Sequence, residues 1–525
     1  MITRRMFTPG AAASLLAPSI ARGAAAAALK FIPQSDLTIL DPVVTTVYTA
    51  RNHGYMVFDT LFGMNSQYRM EPQMLDGFSV EGDGKTWKLT LREALVWHDG
   101  ERVLARDCVA SIRRWAARDG IGGLLMARTD ELSATDDRTI RFRLKKPFQM
   151  LPYALGKIST PMCAMMPERL ANSDPFKPVT EMVGSGPFRF KADEWLSGAR
   201  AVYTRFDRYH PRPEVSTGWT AGGKIVHFER VEWLTSPDDG TSASAMQAGE
   251  LDWWELPSVD LLPLLERTGK IQVEIKDRNG TLGLLKMNNL QPPFNNPAIR
   301  RALLGAVVQK DFMSAIAGED PKMWRSGVGI FTPGTNMASD AGMEVLNGPR
   351  DLAAVQAAIR QAGYNGEKTV LLSPTEPHYR KAMSDVAGGM LRSAGLNVEA
   401  QSMDWGTAIV RRENKQPVEK GGWSVLCTTA NGLDMQTPAL HFLRTTGESA
   451  WFGWTNSPRI EELRAAWVDA PDVTTQQHIA ADIQRQCWID VPHLPLGIWY
   501  QPMAWQNTIK GIPDGFPLFW GAERV

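Results

Sequence analysis

The stretch Glu81–Trp115, EGDGKTWKLTLREALVWHDGERVLARDCVASIRRW, sets four structural devices in a row. Gly82-Asp83-Gly84 is a turn, because glycine takes positive φ freely and aspartate tolerates it. Trp87, Leu89 and Leu91 alternate with Lys88, Thr90 and Arg92, the period-two pattern of a half-buried strand. His98-Asp99-Gly100 makes a second turn. Beyond it Cys108, Ile112 and Trp115 recur at helical spacing, so a helix begins near Ala105, with Asp107 in its first turn where the macrodipole favours an anion. Together with the alternating run Thr139–Leu144, this reads as a small mixed α+β unit over residues 71–182.

A chain of 525 residues exceeds what one core organises, and 43% hydrophobic with 22% charged residues is ordinary globular composition. Fifty-seven basic residues balance 57 acidic ones, and no basic stripe points to nucleic acid or a membrane surface. Thr3-Arg4-Arg5-Met6-Phe7 resembles the twin-arginine export motif, followed by an Ala/Leu-rich run and small residues through Ala28. Residues 1–28 therefore read as an export segment, cleaved between Ala24 and Leu29. Nothing downstream is apolar for long enough to be a membrane-spanning helix. Cys108, Cys163, Cys427 and Cys487 lack metal-site spacing and form no disulfide framework; buried free thiols are expected, with a Cys427–Cys487 bridge as the alternative.

The second half has an α/β rhythm: strand Lys368–Ser373, helix His378–Ala394, strand Leu396–Ala400, helix Trp405–Glu413 and strand Trp423–Thr428. Short links between them argue for parallel pairing by right-handed crossovers. Asn296 and Pro297 open a further helix as N-cap and first residue.

The order Asp83-Gly84-Lys85, Trp87, Leu91-Arg92, Trp97, Asp99-Gly100, Ala105, Asp107, Ser111 resembles the family 5 extracellular solute-binding proteins of ABC transporters, the dipeptide, oligopeptide and nickel type. Leu40-Asp41-Pro42, Phe58-Asp59-Thr60-Leu61, Val183-Gly184-Ser185-Gly186-Pro187-Phe188, Gly249-Glu250-Leu251-Asp252 and Pro292-Pro293-Phe294 extend the resemblance over nearly the whole chain. It implies an α/β, two-lobed periplasmic-binding-protein-like fold of type II, with an extra small α+β unit and a hinge between lobes. The expected division is 29–70, 183–285 and 495–525 in the first lobe, 71–182 as its accessory unit, and 286–494 in the second lobe.

No G-x-S-x-G, S-x-x-K or H-E-x-x-H set is present, so an exported enzyme is disfavoured and no catalytic residue, metal site or cofactor is assigned. Gly184-Ser185-Gly186 has no following Lys-Ser/Thr and opens no helix; it reads as a close crossing of backbones. His98 is expected to hydrogen-bond locally within its turn. Open α/β sheets bind ligands beyond the carboxyl ends of their strands, here the loops Pro374–His378, Ser402–Trp405 and Thr428–Asp434. The resemblance implies that these loops grip the solute, with Asp434 meeting a peptide ammonium, Thr429 and Asn431 beside it, and Trp405 on the second loop. Dipeptide-binding members carry an arginine on the first loop that forks onto the ligand carboxylate. Glu376 stands near that place, so either Arg380 does this or the solute is longer, blocked or cationic. His378 starts the helix after the first strand, and Tyr48 and Trp254 are the candidates for the facing wall. The implied function is a monomeric periplasmic receptor that delivers a peptide-like solute to an inner-membrane permease. A receptor for nickel, a metal chelate, an opine or a sugar on the same fold is the alternative.

Overall fold

The computed structural model describes residues 28–525 apart from Thr217, Pro237, Leu440, Glu448 and Ser449. The expected export segment lies outside the described residues save for Ala28, which opens the first strand. No helix among the described residues is long and apolar enough to cross a membrane.

Two large sheets organise the chain. The first has seven strands in the order Ile271–Glu274, Met503–Gln506, Trp253–Trp254, Ala28–Ile32, Arg230–Leu234, Arg200–Arg205, Phe188–Phe190. The second has six, in the order Trp324–Arg325, Leu494–Trp499, Thr281–Met287, Val425–Asn431, Lys368–Pro374, Asn397–Met403. Lys368–Pro374 pairs in parallel with both Asn397–Met403 and Val425–Asn431, as the short strand–helix–strand links require. The division expected after residue 285 falls inside Thr281–Met287, and the one at 494/495 falls at the start of Leu494–Trp499; both strands belong to the second sheet. The chain thus crosses between sheets at 275–280 and returns at 500–502. An apolar strand buried on both faces carries no period that assigns it to one sheet or the other.

The stretch Glu81–Trp115 forms the expected elements. Thr86–Leu91 buries Trp87, Leu89 and Leu91 in a four-stranded antiparallel sheet with Leu75–Glu81, Thr139–Leu144 and Thr129–Ala134. The helix Ala105–Ala116 buries Cys108, Ile112 and Trp115 on its inner face. The Asp107 carboxylate accepts the backbone N–H of Leu104 at 2.9 Å and of Glu168 at 2.8 Å, so it holds together the starts of two helices, Ala105–Ala116 and Glu168–Ala171.

His98 does not bond within its own turn. Its Nδ1 accepts from Gly184 N at 3.4 Å and its Nε2 donates to Gly186 O at 3.0 Å, so the partners lie in the second glycine motif. Burial pushes its pKa down to about 4, which keeps the ring neutral and the tautomer fixed by these two bonds. Gly186 N in turn donates to Val57 O at 2.9 Å, at the end of the helix Tyr48–Val57. The two sequence signatures are therefore one junction, and it anchors a helix of the first lobe.

The glycines are required by contact. A Cβ on Gly184 would sit 2.0 Å from Val57 O and on Gly186 2.7 Å from Met56 O, both backbone atoms that have no rotamer to escape into. Gly184→Ala is expected to lower stability by about 2–3 kcal/mol, whereas Gly77→Ala, where a Cβ meets nothing within 4 Å, should be neutral. Equal urea midpoints for the two variants would contradict this reading of the junction.

All four cysteines are free and buried, so the alternative Cys427–Cys487 bridge is absent.

Candidate functional site

Two cavities lie between the sheets, of about 410 and 470 Å³, and they share Tyr48 and Thr429 as a common wall. The helix Tyr48–Val57 supplies the first-lobe side, with Tyr48 and Arg51 one turn apart at its start. The strand Val425–Asn431 supplies the second-lobe side, where Thr429 and Asn431 fall on one face by the two-residue period.

Between the cavities the Tyr48 hydroxyl donates to Asp434 Oδ2 at 2.5 Å, a direct bond from one lobe to the other. Burial pushes the Asp434 carboxyl up, against the pull of the Tyr48 hydroxyl and the Arg51 charge, and pushes the Tyr48 phenol well up. Asp434 is presented by a short turn, Gly432–Met435. Asn431 starts that turn by accepting Leu433 N at 2.9 Å, and Gly432 N donates to Gly280 O at 2.8 Å. A Cβ on Gly432 would lie 2.0 Å from Asn279 O, so the loop is pinned to the crossing between lobes.

A hydrogen bond to a charged group contributes about 1.5–3 kcal/mol. Tyr48→Phe should therefore shift the unliganded equilibrium toward open conformers by about 10- to 150-fold. Small-angle scattering should show a larger radius of gyration for the variant without solute. Superimposable scattering curves would show that this bond does not hold the lobes.

The first cavity carries charge from both lobes. Arg51, 2% exposed, gives Nε and Nη2 to Asn52 Oδ1 at 3.2 and 3.0 Å, and its guanidinium lies 3.7 Å from the Phe516 ring centre. Across from it Arg380, in the helix His378–Ser393, lies 3.5 Å over the Trp405 ring. Glu255 and Asp277 complete the charged lining. Glu255 accepts from Gln34 N at 2.7 Å, Gln34 Nε2 at 2.9 Å and Asn52 Nδ2 at 3.4 Å, and burial pushes its pKa up to about 7.

The second cavity contains a consumed acid: Asp119 pairs with Lys157 at 2.8 Å and accepts Ile121 N and Gly122 N at 2.9 and 3.0 Å. Arg118 and Arg444 also line it.

Of the sequence candidates, Tyr48, Thr429, Asn431 and Asp434 come together at these cavities. Trp254 does not line them. It packs with Ile32, Met246, Leu251 and Ala504 inside the first lobe, because both faces of its strand are covered, and the next residue, Glu255, reaches the cavity instead. Glu376 and His378 are exposed and line neither cavity; the helix that starts at His378 turns Tyr379 and Arg380 inward. Trp405 lines neither cavity and acts as the platform under Arg380. Arg51, Glu255 and Asp277 were not anticipated. The available signal was Arg51-Asn52-His53, a polar cluster inside an otherwise apolar helical segment, and all three side chains are buried.

A cleft between two lobes, with the third second-lobe loop bonded to a first-lobe helix, is the arrangement that the sequence resemblance implies. A profile of bacterial extracellular solute-binding proteins, family 5, matches residues 69–449. The chain belongs to this family. A Sinorhizobium fredii protein named as a probable peptide ABC transporter periplasmic-binding protein is 36% identical to it across 100% of both chains. Two solved structures share the fold. The binding protein AgaA from Agrobacterium tumefaciens in complex with agropinic acid has a TM-score of 0.76 at 18% identity, covering 95% of this chain and 99% of that one. The Helicobacter pylori protein DppA in complex with the peptide STSA has a TM-score of 0.74 at 20% identity, covering 95% and 98%. The structure is accordingly that of a two-lobed type II binding protein, and the family is one of solute receptors.

Proposed function

We propose that this chain is the periplasmic binding component of an ABC importer, which takes a peptide or peptide-like solute between its lobes and delivers it to a membrane permease. The observation that carries this reading is the cleft lined from both lobes and bridged by Tyr48 and Asp434. The name of the 36% identical relative, which covers the whole chain, supports peptide as the solute class. The N-terminal Thr3–Phe7 motif supports export by the twin-arginine route.

The two cavities act as successive chambers of one site. The Tyr48–Asp434 bond stands where a ligand ammonium would approach Asp434, so an amine-bearing solute displaces the hydroxyl and takes over the carboxylate. Closure is driven by differential affinity for the closed form, and a micromolar solute supplies about −8 kcal/mol for all of it. Among the described residues no group of three His, Cys, Asp or Glu side chains could hold a metal ion.

Calorimetry with di- to pentapeptides should find one solute bound per monomer, with a change in tryptophan emission on binding. Saturable binding of a sugar or a nickel chelate, with none for any peptide, would remove the peptide reading.

A further inference from the structure

The lobes also meet outside the chambers, at Asp469. This residue ends the helix Pro458–Val468, where a carboxylate faces the negative end of the helix dipole and is disfavoured by it. Its neighbour Asp472, by contrast, accepts Thr475 N at 2.7 Å and starts the helix Val473–Asp490. The Asp469 carboxylate is bonded from the other lobe instead. Oδ1 accepts Arg128 Nη2 at 2.8 Å, and Oδ2 accepts Lys146 Nζ at 2.6 Å. The Arg128 guanidinium lies 5.5 Å from the Phe148 ring centre and its side chain is 12% exposed, so this is more than a pair of free surface charges. Gln476, at the start of the following helix, donates Nε2 to Met150 Sδ at 3.2 Å, and both side chains are buried.

Both cations stand on the unit of residues 71–182, which His98 braces to the first lobe through Gly184 and Gly186. Arg128 ends the helix Gly120–Arg128, whose start lines the second cavity. Lys146 precedes the helix Leu151–Gly156, whose Tyr153 lines that cavity too. At about 1.5 Å per residue, the first of these helices carries the contact roughly 12 Å beyond the cavity wall. Asp469, Arg128 and Lys146 line neither chamber. Their contact coexists with the Tyr48–Asp434 bond, so it belongs to the closed arrangement. The chain passes between the lobes at 275–280 and 500–502, and opening about those crossings parts Asp469 from both cations.

We propose that Asp469, Arg128 and Lys146 form an electrostatic latch at the rim of the second chamber, which biases the receptor toward its closed form without touching the solute. It rests on the reading of a receptor that closes on its solute. A contact made in the closed form alone shifts the open–closed equilibrium and raises the affinity for every solute by the same factor. The Asp469 and Lys146 side chains are 38% and 52% exposed, so salt screens the latch.

Scattering from the unliganded full chain tests the latch without any solute. The wild-type radius of gyration should increase between about 0.02 M and about 1 M sodium chloride, as the Debye length falls below the reach of the pair. Asp469→Asn keeps the side-chain shape and relieves the helix end, so it should show the larger radius at both salts with no fall in melting temperature. Lys146→Gln should lie between. An Asp469→Asn variant that follows wild type at both salts would overturn the latch. The second readout is calorimetry with trialanine and tetraalanine. Asp469→Asn should weaken both by the same factor, about 5- to 30-fold. Unequal losses would make Asp469 a solute contact and overturn the latch, and unchanged affinities would overturn it as well. If neither peptide binds, that result counts against the peptide reading, and scattering alone decides the latch.

Discussion

Arg114→Met is expected to destabilise the first lobe by about 3–5 kcal/mol, because it strands a buried carboxylate. The Arg114 and Asp41 side chains are both 0% exposed, and Nη2 meets Asp41 Oδ2 at 2.8 Å. Nη1 of Arg114 also donates to Ser173 O at 3.0 Å, Ser173 Oγ at 2.9 Å and Asp174 O at 2.9 Å, and Nη2 to Lys177 O at 2.7 Å. Asp41 also accepts Val43 N at 2.9 Å and Val179 N at 3.0 Å. One ion pair thus ties the N-terminal segment, the helix Ala105–Ala116 and the 173–179 loop together. For a unit of 150–250 residues each kcal/mol lowers the melting temperature by about 2–4 °C, so a fall near ten degrees should appear in calorimetry. Asp41→Asn/Arg114→Met should recover part of the loss, since the stranded charge is removed with its partner. A single variant within about 1 kcal/mol of wild type would mean that the pair behaves like an exposed one.

Lys286→Met should stabilise the second lobe, by an amount that depends on pH. Lys286 is 2% exposed; its Nζ donates to Pro492 O at 2.7 Å and lies 4.9 Å from the Trp451 ring centre. Burial pushes its pKa down to about 7 from the ordinary 10.5. Between those values the unfolded chain holds the proton and the folded chain does not, so wild-type stability rises with pH across this window. Below about 7 both states are protonated and the folded state carries the full cost of a buried ammonium. The variant should therefore exceed wild type by about 3–5 kcal/mol at pH 6, and the gap should close toward pH 10. Denaturant titrations of both proteins at pH 6, 8 and 10 check this; a constant difference across the series would show that Lys286 does not titrate in the folded chain.

The motif acids show what the sequence makes legible and what it hides. Asp41, Asp59 and Asp107 each stand in a recognisable signature, and each proves structural. Asp41 pairs with Arg114, Asp59 with Lys224 at 2.7 Å, and Asp107 takes backbone N–H groups. The strand, turn and helix of Glu81–Trp115 were readable because local pattern dictates them: alternation, glycine turns and helical spacing need no knowledge of the rest of the chain. The second-lobe loops were readable for a related reason, since ligand loops follow strand ends in an α/β sheet. That rule brings Thr429, Asn431 and Asp434 to the cleft. It fails at Glu376 and His378, because residues 378 and 380 lie about half a helical turn apart, on opposite sides of the helix, and the side carrying Arg380 faces inward. Arg51 and Glu255 were hidden because their partners lie far along the chain, Phe516 for one and Gln34 for the other. His98 likewise looked like local chemistry and is a brace to Gly184 and Gly186, which hold the helix bearing Tyr48 and Arg51. The opening stretch thus contributes to the site by fixing the helix that presents it.

The central claim is that the solute sits between the lobes, against Tyr48, Arg51, Arg380 and Thr429. A crystal structure of the protein saturated with a peptide that calorimetry shows to bind one per monomer tests it most directly. Peptide density is expected in the first chamber, with the peptide running past Tyr48 and Thr429 toward the second cavity. Density for the bound peptide elsewhere, with both chambers still holding only solvent, would contradict it.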